Sequence, residues 1–410
     1  MPATIKKNMQ ILSWAFYDLA NQFFALNIIS LYFVRWLVIV KKVPEIYYSI
    51  AFAVSVLLVA VLSPVLGAVS DGARRHRLFL IVFTLLSVFF TVSLGNTQQV
   101  GWALVFFALA NLGCQLAAVF YNALLVHVAP PGHIGFVSGF GRMFGYAGAA
   151  LSLWIIKPFV LKYGYQATFA PTGLMFLIFA LPCMVLVKDK NPAPLVASRL
   201  FRRDYVLGVF RSLKGIFLKT YHDRQLFSFF QSIFFSLAAV NVVILFMSVY
   251  VTQVFHLDEG QMIRLIGFAV FFCIGGSVIS GWLSDRIGYR ASLMAVYGLW
   301  ILCFVAGALI PKGSFYDVIG AGVGLVLGAT WVVVRAAAVN LVSSNEVGEM
   351  FGLFNAVGYG SAIMGALFWG LMVTLMSSWG AWRYRLALLS LSGFMILGIY
   401  FLRKVRTNGE

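Results

Sequence analysis

Gly281-Trp282-Leu283-Ser284-Asp285-Arg286-Ile287-Gly288-Tyr289-Arg290 lies between two long apolar runs, Met262–Trp282 and Ala291–Ile310. An earlier stretch has the same outline: Gly67-Ala68-Val69-Ser70-Asp71-Gly72-Ala73-Arg74-Arg75-His76-Arg77. Gly67 and Gly281 stand 214 residues apart, and so do Asp71 and Asp285. In both copies an apolar segment ends on glycine, and serine, aspartate and arginines lead at once into the next segment. The glycine permits close approach of a neighbouring helix. The aspartate suits a helix start, where a carboxylate caps backbone N–H groups and meets the positive end of the dipole. The arginines, among them Arg75, Arg286 and Arg290, hold such a turn at the cytoplasmic face of a membrane.

Composition agrees with a membrane reading. Of 410 residues 61% are hydrophobic and 10% charged, where a soluble chain carries roughly a quarter charged residues. Mean hydropathy is +0.93. The net charge of +17 has no soluble domain to present it to nucleic acid, so it is read as topology and attraction to membrane lipids. Cys114, Cys183, Cys273 and Cys303 all fall in apolar runs, without metal-ligand spacing or a loop position suited to a disulfide. Lys6 and Lys7 precede a long apolar run with no small-residue cleavage site, which predicts a retained first span.

Twelve apolar runs are read at 11–40, 46–69, 78–95, 101–127, 136–160, 167–187, 225–252, 262–283, 291–310, 318–342, 349–375 and 383–402. Each is long enough to cross a bilayer as a helix, and a bilayer admits only helices or closed barrels. Lysines and arginines divide unevenly between the two sides, 19 on the side of both termini and 8 on the other. Both termini and the central loop are therefore expected in the cytoplasm, in a bacterial inner membrane. That loop, 188–224, opens on Lys188-Asp189-Lys190-Asn191-Pro192-Ala193-Pro194 and continues into a basic, apolar-striped segment suited to a helix on the membrane surface. The expected fold is an all-α membrane protein of two pseudo-symmetric six-helix halves, 1–187 and 225–410. Gly135, Gly139, Gly145 and Tyr146 recur as Gly348, Gly352, Gly358 and Tyr359 at an offset of 213, and Asn27 as Asn241 at 214. Two such halves are what rocking around a central site requires.

The spacing G-x-x-x-D-R-x-G-x-R of the second loop resembles the signature loop of the major facilitator superfamily; the first copy departs, with Gly72 for the usual arginine and Arg74 for the usual glycine. Two further stretches resemble its vacuole-effluxer branch, related to autophagy-linked amino-acid effluxers. One is Trp14-Ala15-Phe16-Tyr17-Asp18-Leu19-Ala20-Asn21. The other runs from Tyr121-Asn122 through Ala129-Pro130-Pro131 to Gly139-Phe140-Gly141 and Gly145-Tyr146. The resemblance implies a secondary transporter moving amino acids or similar solutes by alternating access. It also implies that the first, fourth, seventh and tenth helices line the cavity.

Charges inside spans cost at least ~2.5 kcal/mol at the helix centre and mark function or pairing. Asp18, Arg142 and Arg335 fall at similar depth in the cytoplasmic half, and the repeat aligns Arg335 with Asn122 and Arg142 with Asn355. Three readings stand. In the first, Asp18 pairs with one arginine while the other binds a substrate carboxylate through its planar fork. In the second, Asp18 bridges Arg335 as an inner gate. In the third, the charges only lock helix packing. Asn27 and Asn241 are open to two readings, substrate hydrogen bonding or polar glue between helices. His127 and His133 are read as surface residues flanking a proline loop. Gly139-Phe140-Gly141-Arg142-Met143-Phe144-Gly145 misses the dinucleotide spacing and follows no strand. With no Walker sequence, catalytic serine elbow or metal-ligand cluster, a non-enzyme without cofactor or metal is expected, monomeric, coupled to H+ or Na+ or running as a uniporter. The rivals are an exporter of amphipathic or lipid-like molecules and a non-transporting receptor or scaffold on the same fold.

Overall fold

A computed structural model describes residues 3–130, 133–189, 203–310, 315–341 and 347–405. Among them there is no strand, and twelve helices are long and apolar enough to cross a membrane. The spans are Lys7–Val40, Glu45–Ala73, His76–Leu94, Val100–Val128, Phe136–Tyr163 and Gln166–Leu186 in the first half of the chain. In the second they are Arg224–Phe255, Glu259–Ile287, Tyr289–Leu309, Tyr316–Ala338, Gly352–Leu375 and Trp382–Leu402. Large apolar side chains such as Phe89, Trp154 and Val278 stay exposed, because hydrocarbon, not water, is the solvent there. Pro131, Pro192 and Pro194 of the expected loops lie outside the described residues, as do Lys312 and Arg406 of the charge count.

The chain divides into two compact units, Met1–Val43 with Val54–Arg211, and Pro44–Ala53 with Ser212–Glu410. Within the first, the first span packs on the fifth and sixth, and the third on the fourth and sixth. Within the second, the seventh packs on the eleventh and twelfth, and the ninth on the tenth and twelfth. These four pairings recur in the two units six spans apart. The apolar cores of the first and seventh spans are each 72% buried, against 22–56% elsewhere, so each is the enclosed helix of its unit.

Helix ends follow local chemistry. The seventh span starts on Asp223, whose carboxylate accepts from the N–H groups of Gln225 (2.9 Å) and Leu226 (3.1 Å). The eighth starts on a reciprocal pair in which Asp258 accepts from Gln261 N–H at 2.8 Å and Gln261 Oε1 accepts from Asp258 N–H at 3.0 Å, satisfying two N–H groups left open by the helix start. The first span is irregular: π-helical turns occupy Ala25–Leu31 and Trp36–Val40. Such turns widen a helix and are frequent at functional sites.

The two signature stretches correct the sequence reading. Residues 67–73 and 281–287 are helical and continue the preceding spans. The turns are confined to Arg74–Arg75 and to Gly288. Arg74 has φ +52° and Gly288 has φ +80°, and these two positions are related by the repeat. Asp71 and Asp285 thus sit in the last turn of one helix instead of capping the next. Gly67 meets nothing near its missing Cβ, and Gly281 only Val332 Cγ1 at 3.6 Å. The close approaches fall elsewhere. In the second unit a Cβ added at Gly276, Gly324 or Gly328 would run into the backbone oxygen of Leu325, Ala269 or Cys273 on the facing helix.

Candidate functional site

Trp14, Tyr17 and Asp18 project from one face of the first span, as spacings of three and four residues require. The Trp14 indole N–H donates to the Tyr121 carbonyl at 3.0 Å, and its ring stacks on Tyr121 with centroids 4.5 Å apart. Tyr17 also stacks on Tyr121, with centroids 5.0 Å apart, and shares a 2.6 Å hydrogen bond with Thr84. These contacts fix the turn that carries Asp18, which is only 6% exposed.

The fifth span closes over this turn through three glycines. An alanine Cβ at Gly141 would stand 2.6 Å from Trp14 Cζ3, at Gly145 3.1 Å from Asp18 Oδ2, and at Gly148 2.5 Å from the Leu19 carbonyl oxygen. Between spans there is no hydrophobic driving force, so this contact lives on close van der Waals packing. It brings Arg142 Nη1 to 3.8 Å from Asp18 Oδ1, with the arginine side chain 49% exposed and the aspartate 9%. At that distance the two attract as ions without a hydrogen bond, and the guanidinium keeps donors for another anion. The Tyr121 hydroxyl beside Gly141 is buried and has no hydrogen-bond partner. The two stretches that carry the effluxer resemblance, Trp14–Asp18 and Tyr121–Gly145, therefore meet at one place.

The other expected residues divide. Asn122 is exposed beside Tyr121 in the first unit, and Arg335 and Asn355 are exposed in the second. Asn27 is fully buried; its amide donates to Ser152 Oγ at 2.8 Å and Thr172 Oγ1 at 3.2 Å, tying three spans. Asn241 donates to the Leu237 carbonyl of its own helix at 2.8 Å. The repeat position of Asp18 is Ser232, which donates to the Gly398 carbonyl at 2.8 Å; the acid belongs to one half only. In the signature stretches Asp285 is exposed, Arg286 lies 4.0 Å over the Trp282 ring, and Arg290 donates to the Arg403 carbonyl at 2.9 Å. Arg75 is half-buried, its N–H bonded to the Ser70 carbonyl at 3.1 Å. Arg35, the third arginine inside a span, is buried 4.8 Å over the Tyr165 ring.

Two polar sites escaped the sequence reading. Glu45, at the start of the second span, is 2% exposed and accepts from the Tyr384 hydroxyl, to which Arg383 donates at 2.9 Å. At the end of the fourth span, His127 is partly buried, its ring 5.1 Å from that of His76, while His133 is exposed as expected.

The profile of the Major Facilitator Superfamily matches residues 9–366. The chain belongs to the Major Facilitator Superfamily. A facilitator-type transporter from Bacillus subtilis, YxiO, itself uncharacterised, is 23% identical over 408 residues, covering 94% of this chain and 93% of its own. An uncharacterised protein of Aquifex aeolicus is 24% identical over 404 residues and 98% of both chains. Among solved structures, the nucleoside transporter NupG aligns over all of both chains with a TM-score of 0.74 at 14% identity. A bacterial homologue of the lysosomal transporter Spinster aligns over 99% of both with a TM-score of 0.72 at 12% identity. At those identities the facilitator fold is shared; the solute is not thereby given. This facilitator is an integral, multi-pass membrane protein, with twelve spans among the described residues.

Proposed function

We propose that this facilitator is a secondary transporter of a small polar solute bearing a carboxylate, an amino acid by preference, working by alternating access. The observation that carries the reading is a half-exposed guanidinium, Arg142, beside a buried carboxylate, Asp18, inside the spans. Arginine's fork matches a carboxylate bidentately, and Asp18 is placed to hold that fork when the site is empty. Asn122 and the Tyr121 hydroxyl supply neutral partners. Arg335 and Asn355 are the repeat-related arginine and asparagine of the second half. Convergence of Trp14, Tyr17, Tyr121, Gly141 and Gly145 on Asp18 supports the effluxer branch. Halves 1–187 and 225–410, joined by the linker 188–224, are the two parts that alternating access needs; both termini lie in the cytoplasm of a bacterial cell, and the working unit is a monomer. Coupling runs through Asp18, which takes up a proton when Arg142 moves off and releases it when the pair reforms; Na+ dependence is the alternative outcome.

The test is flux in proteoliposomes with labelled amino acids, dipeptides, nucleosides and lipids. Amino-acid exchange is expected. Losing a charge-assisted hydrogen bond costs about 1.5–3 kcal/mol, so Arg142→Gln should weaken apparent affinity about ten- to a hundredfold. Flux only of solutes lacking a carboxylate, indifferent to Arg142→Gln, would contradict the proposal.

A further inference from the structure

His76 opens the helix of the third span and is 7% exposed. Its Nε2 lies 2.7 Å from Asp71 Oδ1. A carboxylate only accepts, so Nε2 carries the hydrogen, and in the neutral ring, the form that binds a metal, Nδ1 keeps its lone pair. That Nδ1 is buried, has no hydrogen-bond partner, and faces Asp189 Oδ1 at 3.8 Å. At that distance the two atoms make no hydrogen bond, and with the ring neutral they are two electron-pair donors facing each other. The separation is close to that of two ligands of one ion: bonds of ~2.0–2.2 Å at tetrahedral angles hold donor atoms ~3.3–3.5 Å apart.

A third donor is present. His127, from the end of the fourth span, sets its ring 5.1 Å from that of His76, inclined at 72°. Donor atoms of His76, His127 and Asp189 all lie within 4.8 Å of one another. Outer contacts hold the set. The Arg77 N–H reaches both Asp189 oxygens at 3.2 Å, and Arg77 Nε donates to the Met184 carbonyl at 2.6 Å. Asp71 orients the His76 ring as a carboxylate does behind a metal-bound histidine.

The internal repeat supplies a comparison. At the same offset of 214, His76 corresponds to Arg290 and Asp189 to Arg403. There the long guanidinium closes the corner directly, donating to the Arg403 carbonyl at 2.9 Å. In the first half the shorter imidazole leaves a gap, and the three side chains around it are all metal-ligand types.

We propose that His76 Nδ1, His127 and Asp189 bind one divalent transition-metal ion of the zinc class, with Asp71 as the acceptor that positions His76. Imidazole and carboxylate donors suit Zn2+, and three protein ligands leave a fourth position to water. The ion would join the starts and ends of the third and fourth spans to the first residues of the central linker. The site is independent of the transported solute.

The test uses the full chain, purified in detergent with any affinity tag removed, stripped of metal and titrated with Zn2+ against a chromophoric chelator. One ion per chain is expected. Replacing a ligand should weaken binding by more, and replacing its outer partner by about 10- to 100-fold. So His127→Gln and Asp189→Asn should each lose at least tenfold and Asp71→Ala about tenfold. His222→Gln and His256→Gln should bind as wild type. Co2+ loading should give a tetrahedral visible band that His127→Gln removes. Each variant is first matched to wild type in gel filtration without metal; should His76→Gln fail to fold, His127→Gln and Asp189→Asn still decide. Absence of stoichiometric Zn2+ binding, as for a corner closed only by a protonated imidazole, would overturn the proposal. Binding that survives both His127→Gln and Asp189→Asn would do the same.

Discussion

Replacing Gly148 with alanine tests whether the seam between the first and fifth spans holds the Asp18–Arg142 pair. The new Cβ would lie 2.5 Å from the Leu19 carbonyl oxygen and 2.8 Å from Leu19 Cα. Ordinary contact begins near 3.4 Å. Both neighbours are backbone, so no rotamer relieves the clash and the two helices must part by most of an ångström. Two backbone clashes put the cost at the upper end of the range for overpacking, about 2–3 kcal/mol, of which alanine's better helix propensity returns about 1 kcal/mol. A net loss of about 1–2 kcal/mol in a unit of this size should lower the apparent melting temperature by ~2–8 °C. The same parting carries Arg142 away from Asp18, already 3.8 Å distant, so exchange should slow as well. Gly139→Ala is the control, since nothing lies within 4 Å of its Cβ; it should melt at or above wild type. Thermal unfolding in detergent, followed by intrinsic fluorescence, reads both. A Gly148→Ala protein as stable as wild type, or a Gly139→Ala protein equally damaged, would refute the seam.

Two further outcomes concern the turns and the second buried carboxylate. Gly288 has φ +80° and ψ 157°, a region closed to residues with a Cβ, so Gly288→Ala should cost about 1–3 kcal/mol; Arg74→Gly should gain up to about 1 kcal/mol by relieving φ +52°, and opposite shifts in melting temperature check the pair. Tyr384→Phe leaves the Glu45 carboxyl buried without its donor and should cost about 3 kcal/mol, whereas Glu45→Gln, which removes the carboxyl itself, should cost less; equal losses in the same assay would count against the Tyr384 hydroxyl as the partner that holds Glu45.

The sequence carries the spans because a bilayer leaves the chain few choices: apolar runs of this length become helices, and the expected segments match within a few residues except where helices run on. They run on at Ser70–Ala73 and Ser284–Ile287 because only a left-handed residue stops the ladder, at Arg74 and Gly288. The neighbourhood of Asp18 and Arg142 was legible because charges inside spans seek each other. Which glycines touch a partner was not, since Gly67 and Gly148 look alike until the helices cross. Glu45 reads as a loop residue in sequence; its burial depends on residues 44–53 docking with Tyr48 against Phe246 and Ser49 beside Gly370 in the second unit. Asp71, His76, His127 and Asp189 are scattered along the chain, and only the packing of the third and fourth spans gathers them.

Asp18→Asn addresses the account's centre most directly. Asparagine keeps the shape and hydrogen bonding of Asp18 but cannot carry a proton. Wild type and variant, reconstituted side by side, are compared for exchange of a labelled amino acid at equal pH and for its accumulation under an imposed pH gradient. The account predicts that Asp18→Asn still exchanges the solute and fails to accumulate it. A variant that folds and accumulates solute against its gradient as wild type does would contradict it.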